Sequence, residues 1–404
     1  MEALTEVFTP LSDRLKNVSV SLTLKIVERA KALKAEGVDV ISLSVGEPDH
    51  NTPEHVKRAG IAAIESNFTR YTAAAGILEL RKAICEKLKR DNSLDYSPSQ
   101  IVVSNGAKHA IANAIQAIVN PGDEVIIPEP CWLSYPDLVH LAGGIPVYVA
   151  SRIEHGFHLQ PDDLARVLTP KTKAIILNTP CNPTGAVLSR PEVEALCEVL
   201  YDHNVMIISD EIYEHLRFDG REHYSFAQVD GMKDRTVLVN GVSKCYAMTG
   251  WRIGYSASSD LLSDAMLRIQ SQMTSSACSI SQKAACEGIQ GDQSSVPAML
   301  KDFSRRRHIC YDILSKCKGV KLSMPEGAFY IFPDVSAFYG KRIGDAVIKD
   351  SVDLAEHLIT ACHVAVVPGA AFRAPHCIRI SYANSDEKVR EGVNRICDFL
   401  NSLR

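Results

Sequence analysis

The sequence predicts a two-part α/β fold, a large domain on a mostly parallel sheet flanked by helices and a smaller α/β domain beside it. Three observations carry this. The chain has 404 residues, more than one hydrophobic core usually serves. Between about residues 48 and 290, short β-branched runs alternate with longer amphipathic stretches, the signature of βαβ units. Beyond 290, a charged helical stretch gives way to further short apolar runs with helical segments between them.

The elements follow in order. An opening helix, LTLKIVERAKALKAEG, closes at Gly37 and leads into the apolar run VDVISLSVG. The large domain, taken as 48–290, reads IVVSNG before KHAIANAIQAIV, DEVIIPEP before SYPDLVHLAG, and AIILNTP before PEVEALCEVLYDH, then VMIISDE and TVLVNG. One long helical region is expected from Asp260 to about Ile289. The small domain takes 291–404, with residues 1–47 packing onto it. It holds a charged helix near Lys301 to Lys316, the runs FYIF, VAVVPG and IRISYA, and a closing helix that stripes Val389, Val393, Ile396 and Leu400 on one face.

Composition narrows the function classes. Hydrophobic content of 46%, charged content of 23% and a net charge of −4 describe an ordinary soluble globule without the basic excess of a nucleic-acid binder. Apolar runs such as AIIL fall far short of the ~20 residues that a membrane helix needs. The 12 cysteines lie scattered from Cys85 to Cys397 with no CxxC pair and no metal-type spacing, which points to a reducing compartment, the cytoplasm. The first residues, with Glu2 and Glu6 and no apolar segment, read neither as a secretory signal nor as an Arg-rich transit peptide, although a trimmed organellar protein would look the same.

Polar residues gather where the apolar runs end. Lys244, in SKCYAMTGWR after the run TVLVN, is a lysine that burial would desolvate, which lowers its pKa and makes it an amine nucleophile towards an aldehyde. Arg252, past a turn of small residues, is placed to grip a phosphate. Asp210 ends the run MIISD, where a carboxylate asks for a cation such as a protonated pyridine nitrogen, and a helix-capping aspartate is the alternative. Tyr213 follows three residues later. Asn182 sits between Pro180 and Pro183 in a stiffened loop. In SNGAKH, Gly106 and Ala107 open a helix whose free N–H groups form a phosphate cradle, as any strand-to-helix turn does. Trp132 either stacks on a planar ring or fills the core. Arg379, alternating with Ile378 and Ile380, needs an anion, a substrate carboxylate or a structural acid. Gly46 ends an early run where a backbone approaches a ligand.

From SLSVGEPDHNTPEHV through RYTAAAGILELRKAI and NPTGAV to SKCYAMTGWRIGY and IRISYA, the chain resembles the class I aminotransferases of fold type I. Within them it is most similar to the aspartate aminotransferase subgroup of bacteria and plastids, some of whose members also use prephenate. The resemblance implies a seven-stranded sheet, pyridoxal 5'-phosphate as cofactor and a ping-pong cycle between amino acids and 2-oxo acids. It implies Lys244 as the Schiff-base lysine, Asp210 at the pyridine nitrogen, Asn182 and Tyr213 at the phenolic oxygen, and Trp132 stacked on the ring. Gly106, Ala107, Lys108, Ser243 and Arg252 fall at the phosphate, and Tyr71 at the phosphate of a neighbouring subunit, hence a homodimer with shared sites. Arg379 and Gly46, with Trp132 and Asn182, fall at the substrate, and Lys108 at the distal carboxylate of aspartate or glutamate. Cys131, Cys181 and Cys245 depart from many relatives, and Ser19 stands near where prephenate users carry a lysine. Another pyridoxal-phosphate enzyme on this scaffold, a lyase for example, is the competing expectation.

Overall fold

The structure is a computed structural model that describes residues 12–18 and 22–404; Ser19 lies outside the described residues. Its centre is a seven-stranded sheet of β2 (Ile101–Ser104), β3 (Glu124–Glu129), β4 (Ile145–Ala150), β5 (Thr172–Asn178), β6 (Met206–Asp210), β7 (Thr236–Gly241) and β8 (Gly254–Ala257). The strand order is β2-β8-β7-β6-β5-β3-β4, and only β8 runs antiparallel to its neighbours. The inner strands are apolar on both faces because helices cover both. Ile208 and Val237 pack on one side with α4 (Ala107–Ile118), while Ile175 and Ile207 pack on the other with α7 (Arg190–Leu200).

A second core gathers the C-terminal elements. β9 (Tyr330–Ile331), β13 (Val367–Pro368) and β14 (Ile378–Ser381) form a three-stranded antiparallel sheet, and α10 (Ser295–Leu314) packs against α12 (Asp386–Ser402). The N-terminal segment reaches this core: β1 (Ile41–Ser42) pairs in parallel with β12 (Val364–Ala365), and Leu43 is fully buried there. Ile212, Tyr213, Leu216 and Phe218, just after β6, also belong to it. One connection of the large sheet is therefore shared between the two cores.

Two elements are shorter than the sequence suggests. The run VDVISLSVG yields only a two-residue strand, because it pairs along one short edge before turning towards the sheet. The region from Asp260 to Ile289 is two helices, α8 (Asp260–Met273) and α9 (Ser279–Gln290), separated at Ser275, whose φ of 59° no helix continues. Among the described residues no helix is long and apolar enough to cross a membrane.

The turn after β6 is held from behind by buried charge. The Lys87 ammonium of α3 (Leu78–Asn92) pairs with Glu214 and donates to Asn92 Oδ1 at 2.8 Å, and Asn92 Nδ2 donates to Glu214 Oε2 at 3.0 Å. Glu211 accepts from Ser209 at 2.7 Å and Ser225 at 2.6 Å, and meets His223 at 2.7 Å. Glu211, Glu214 and His223 bring ligand atoms within 4.8 Å of one another, and Glu214 is already paired with Lys87. Removing one member of a buried pair is costlier than removing both. Lys87→Met should therefore lose about 3–5 kcal/mol in urea unfolding, and the Lys87→Met/Glu214→Met double variant should recover most of it.

Candidate active site

Because β2, β3, β5, β6 and β7 run the same way, their carboxyl ends open on one edge, where ligands of open α/β sheets bind. A cavity of about 240 Å³ lies there, roofed by β9 and β14 of the second core. Lys244, three residues past β7, enters it half-buried and donates to the Gly46 carbonyl at 2.6 Å. Burial draws its pKa down to about 8, with Glu47 opposing and the Arg379 and Arg252 charges adding to the fall.

Asp210, the last residue of β6, is buried in the cavity wall. Its Oδ2 accepts from the Tyr135 hydroxyl at 2.7 Å and its Oδ1 from the Ile212 N–H at 3.2 Å. Among the described residues no cation lies within ion-pairing distance of it, and burial pushes its pKa up to about 6. No helix follows directly, so the capping alternative does not apply.

Arg379 presents the opposite case, a buried guanidinium without an acid. It donates to Asn182 Oδ1 at 2.9 Å and to the Ser44 carbonyl at 2.8 Å, while its Nε has no partner. Two rings flank it, Tyr330 at 4.4 Å and Phe372 at 4.9 Å. No carboxylate among the described residues pairs with it, which removes the structural salt bridge. Since arginine only donates, the Asn182 oxygen must face it, leaving the amide NH₂ as that side chain's donor. Asn178, at the end of β5, fixes this loop by accepting from the Asn182 N–H at 2.8 Å and donating to the Asp210 carbonyl at 2.9 Å.

At the far end, Gly106 caps α4 with φ +83°. A Cβ there would fall 2.2 Å from Arg252 Nη2, so only glycine lets the guanidinium close over the helix N-terminus. Arg252 donates to the Thr249 carbonyl at 2.9 Å, and Ala107, Lys108 and Ser243 line the cavity with it. The Lys108 ammonium stands 4.8 Å over the Trp132 ring, and burial, with Arg252, lowers its pKa. Trp132 in turn meets Tyr135 edge-on at 5.4 Å. Tyr213 lines the cavity with its hydroxyl 2.9 Å from that of Tyr330.

The cavity thus gathers the residues expected from the sequence, with Gly106 at its rim and one exception: Tyr71 is 95% exposed and stands outside it. Six lining residues escaped the sequence reading: Leu133, Tyr135, Asn178, Ile212, Thr249 and Tyr330. Tyr135 and Thr249 carry no signal of their own. Tyr330 offers one, a hydroxyl inside an all-apolar strand that must find a partner.

The donor set fits pyridoxal phosphate: a desolvated amine, a buried carboxylate lacking a cation, and an anion cradle that a single Cβ would fill. Set on a seven-stranded, mostly parallel sheet, it defines a pyridoxal-phosphate-dependent transferase of fold type I. Residues 38–396 match the family of class I and II aminotransferases, to which the chain belongs. It is 50% identical over 396 residues to an aspartate/prephenate aminotransferase of Cereibacter sphaeroides, covering 97% of this chain and 99% of that one. The aspartate aminotransferase of Rhizobium meliloti superposes with a TM-score of 0.94 at 44% identity, covering 98% and 100%. That of Thermus thermophilus, solved with maleate, gives 0.91 at 40%, covering 97% and 100%. The chain is a pyridoxal-phosphate-dependent aminotransferase.

Two outcomes follow from this geometry. Gly106→Ala should weaken cofactor affinity at least about tenfold, read by equilibrium dialysis, because Arg252 must retreat. The Asp210 pKa is raised on folding, from 3.8 to about 6, so its ionisation destabilises the cofactor-free protein. That cost is complete above about pH 6 and vanishes below about pH 4. Asp210→Asn without cofactor should therefore be more stable by up to about 3 kcal/mol at pH 8 and no more stable at pH 4, measured by denaturant titration.

Proposed function

We propose that the enzyme moves amino groups between a dicarboxylic amino acid, aspartate or glutamate, and a 2-oxo acid, oxaloacetate or 2-oxoglutarate, with Lys244 as its catalytic amine. The observation that carries this reading is the meeting of the Lys244 amine, the cationless Asp210 and the acid-free Arg379 in one cavity. Bound pyridoxal phosphate supplies an electron sink for the carbanion left when the substrate Cα loses its proton. With a pKa near 8, the Lys244 amine is unprotonated often enough near neutral pH to act first as nucleophile and then as carrier of the Cα proton.

The remaining residues hold and orient. Asp210 faces a protonated ring nitrogen. The Asn182 amide and Tyr213 hydroxyl hold the phenolic oxygen, and Trp132 packs on the ring. Gly106, Ala107, Lys108, Ser243 and Arg252 take the phosphate. Arg379 takes the substrate α-carboxylate, with Gly46, Trp132 and Asn182 beside it. Lys108, over Trp132, takes the distal carboxylate, a choice supported by the dicarboxylate maleate in the Thermus relative's structure. The exposure of Tyr71 supports a homodimer in which it serves the other subunit's phosphate. We place the enzyme in the cytoplasm on its 12 free cysteines, and divide it at 48–290 against 1–47 with 291–404.

The Cereibacter relative's name favours a second reading, prephenate as amino acceptor. Arogenate formation from prephenate and glutamate tests it directly. For the main reading, borohydride reduction followed by peptide mapping should tag Lys244 alone, and a tag elsewhere would overturn it. Lys244→Ala should slow transamination of aspartate on the order of 10⁴-fold while leaving the fold intact by circular dichroism.

A further inference from the structure

We propose that Tyr330 is a positioning residue, whose ring seats the Arg379 guanidinium and whose hydroxyl donates to Tyr213 so that the Tyr213 proton is free to face the cofactor. Four observations meet at this side chain. Tyr330 is fully buried in β9 beside the strand that carries Arg379, and lines the cavity. Its ring lies 4.4 Å from the Arg379 guanidinium carbon. Its hydroxyl is 2.9 Å from that of Tyr213. A Cβ on Gly46, whose carbonyl holds Lys244, would come within 3.0 Å of the same hydroxyl.

A count of hydrogens sets the direction. Each phenol has one proton to give. If Tyr213 gave its proton to Tyr330, it would have none for a phenolic oxygen in the cavity. With Tyr330 as donor, Tyr213 accepts from behind and donates forward, and each bond polarises the next. The guanidinium on the Tyr330 ring draws electron density from it and strengthens its O–H as a donor. The same contact restrains an arginine whose Nε has no partner and whose two other bonds go to neutral oxygens. One tyrosine therefore serves both the carboxylate end and the ring end of the site.

The hydroxyl half of this inference rests on the reading of Tyr213 as donor to the phenolic oxygen, so the test separates the two. In the holoenzyme without substrate, the pH titration of the bound cofactor's absorbance is compared for wild type, Tyr330→Phe, Tyr213→Phe and the double variant. Weaker donation to the phenolic oxygen disfavours its more anionic, deprotonated form. Tyr330→Phe should thus move the midpoint up by roughly 0.5 in pH, and Tyr213→Phe further. The double variant should add nothing to Tyr213→Phe alone. A shift in Tyr213→Phe with none in Tyr330→Phe overturns the proposal and leaves the Tyr213 reading standing. No shift in either overturns both, and full additivity overturns the relay. For the ring, Tyr330→Phe should bind maleate within about twofold of wild type, and Tyr330→Leu roughly tenfold more weakly. Unchanged maleate affinity in Tyr330→Leu overturns the ring's part. Melting temperatures of each variant separate these effects from loss of fold.

Discussion

Everything at this site depends on burying charge without its complement. Asp210 has no cation and Arg379 no acid, yet both lie in the wall of one cavity and both are nearly inaccessible to solvent. An ionised group in such a place is costly unless a partner arrives, and the protein reduces that cost only in part, with neutral hydrogen bonds from Tyr135 and Ile212 or to Asn182 and Ser44. On the function proposed above, the ligand completes each pair, so its charges are selected by what the folded chain leaves unmatched.

The rest of the architecture sustains that imbalance. Parallel strands bring Asn178, Asp210 and the Lys244 loop to one edge, and the amide of Asn178 ties the first of these to the second. Behind the sheet, the Lys87, Asn92 and Glu214 contacts are fully satisfied, so the turn that carries Asp210 and Tyr213 is fixed from the side away from the ligand. The front of the turn is left polar and available, and its back is closed.

Much of this was legible in the sequence because the chemistry sits at strand ends. Asp210, Asn182 and Lys244 each come at or after the end of an apolar run, and in a parallel sheet such ends converge whatever the register. The inner strands announced themselves as continuous β-branched runs. β4 and β8 did not, since β4 is an edge strand with Pro146 inside it and β8 is four residues with a single large apolar side chain. The two-helix break at Ser275 was hidden because no glycine or proline marks it. Tyr135 and Tyr330 were missed for another reason: their partners, Asp210 and Tyr213, lie 75 and 117 residues away, and no local pattern encodes a contact of that span.

Arg379 also joins parts of the chain that fold into different cores. Its guanidinium spans from Ser44, 335 positions earlier, to Asn182, 197 positions earlier, while its backbone pairs with Val367. The anion pocket consequently belongs to no single stretch of polypeptide. A nascent chain that has completed all seven strands still lacks it, and a nick that spares the large sheet can erase it. On the proposed function, competence for the substrate therefore waits until the second core has closed onto the finished large sheet.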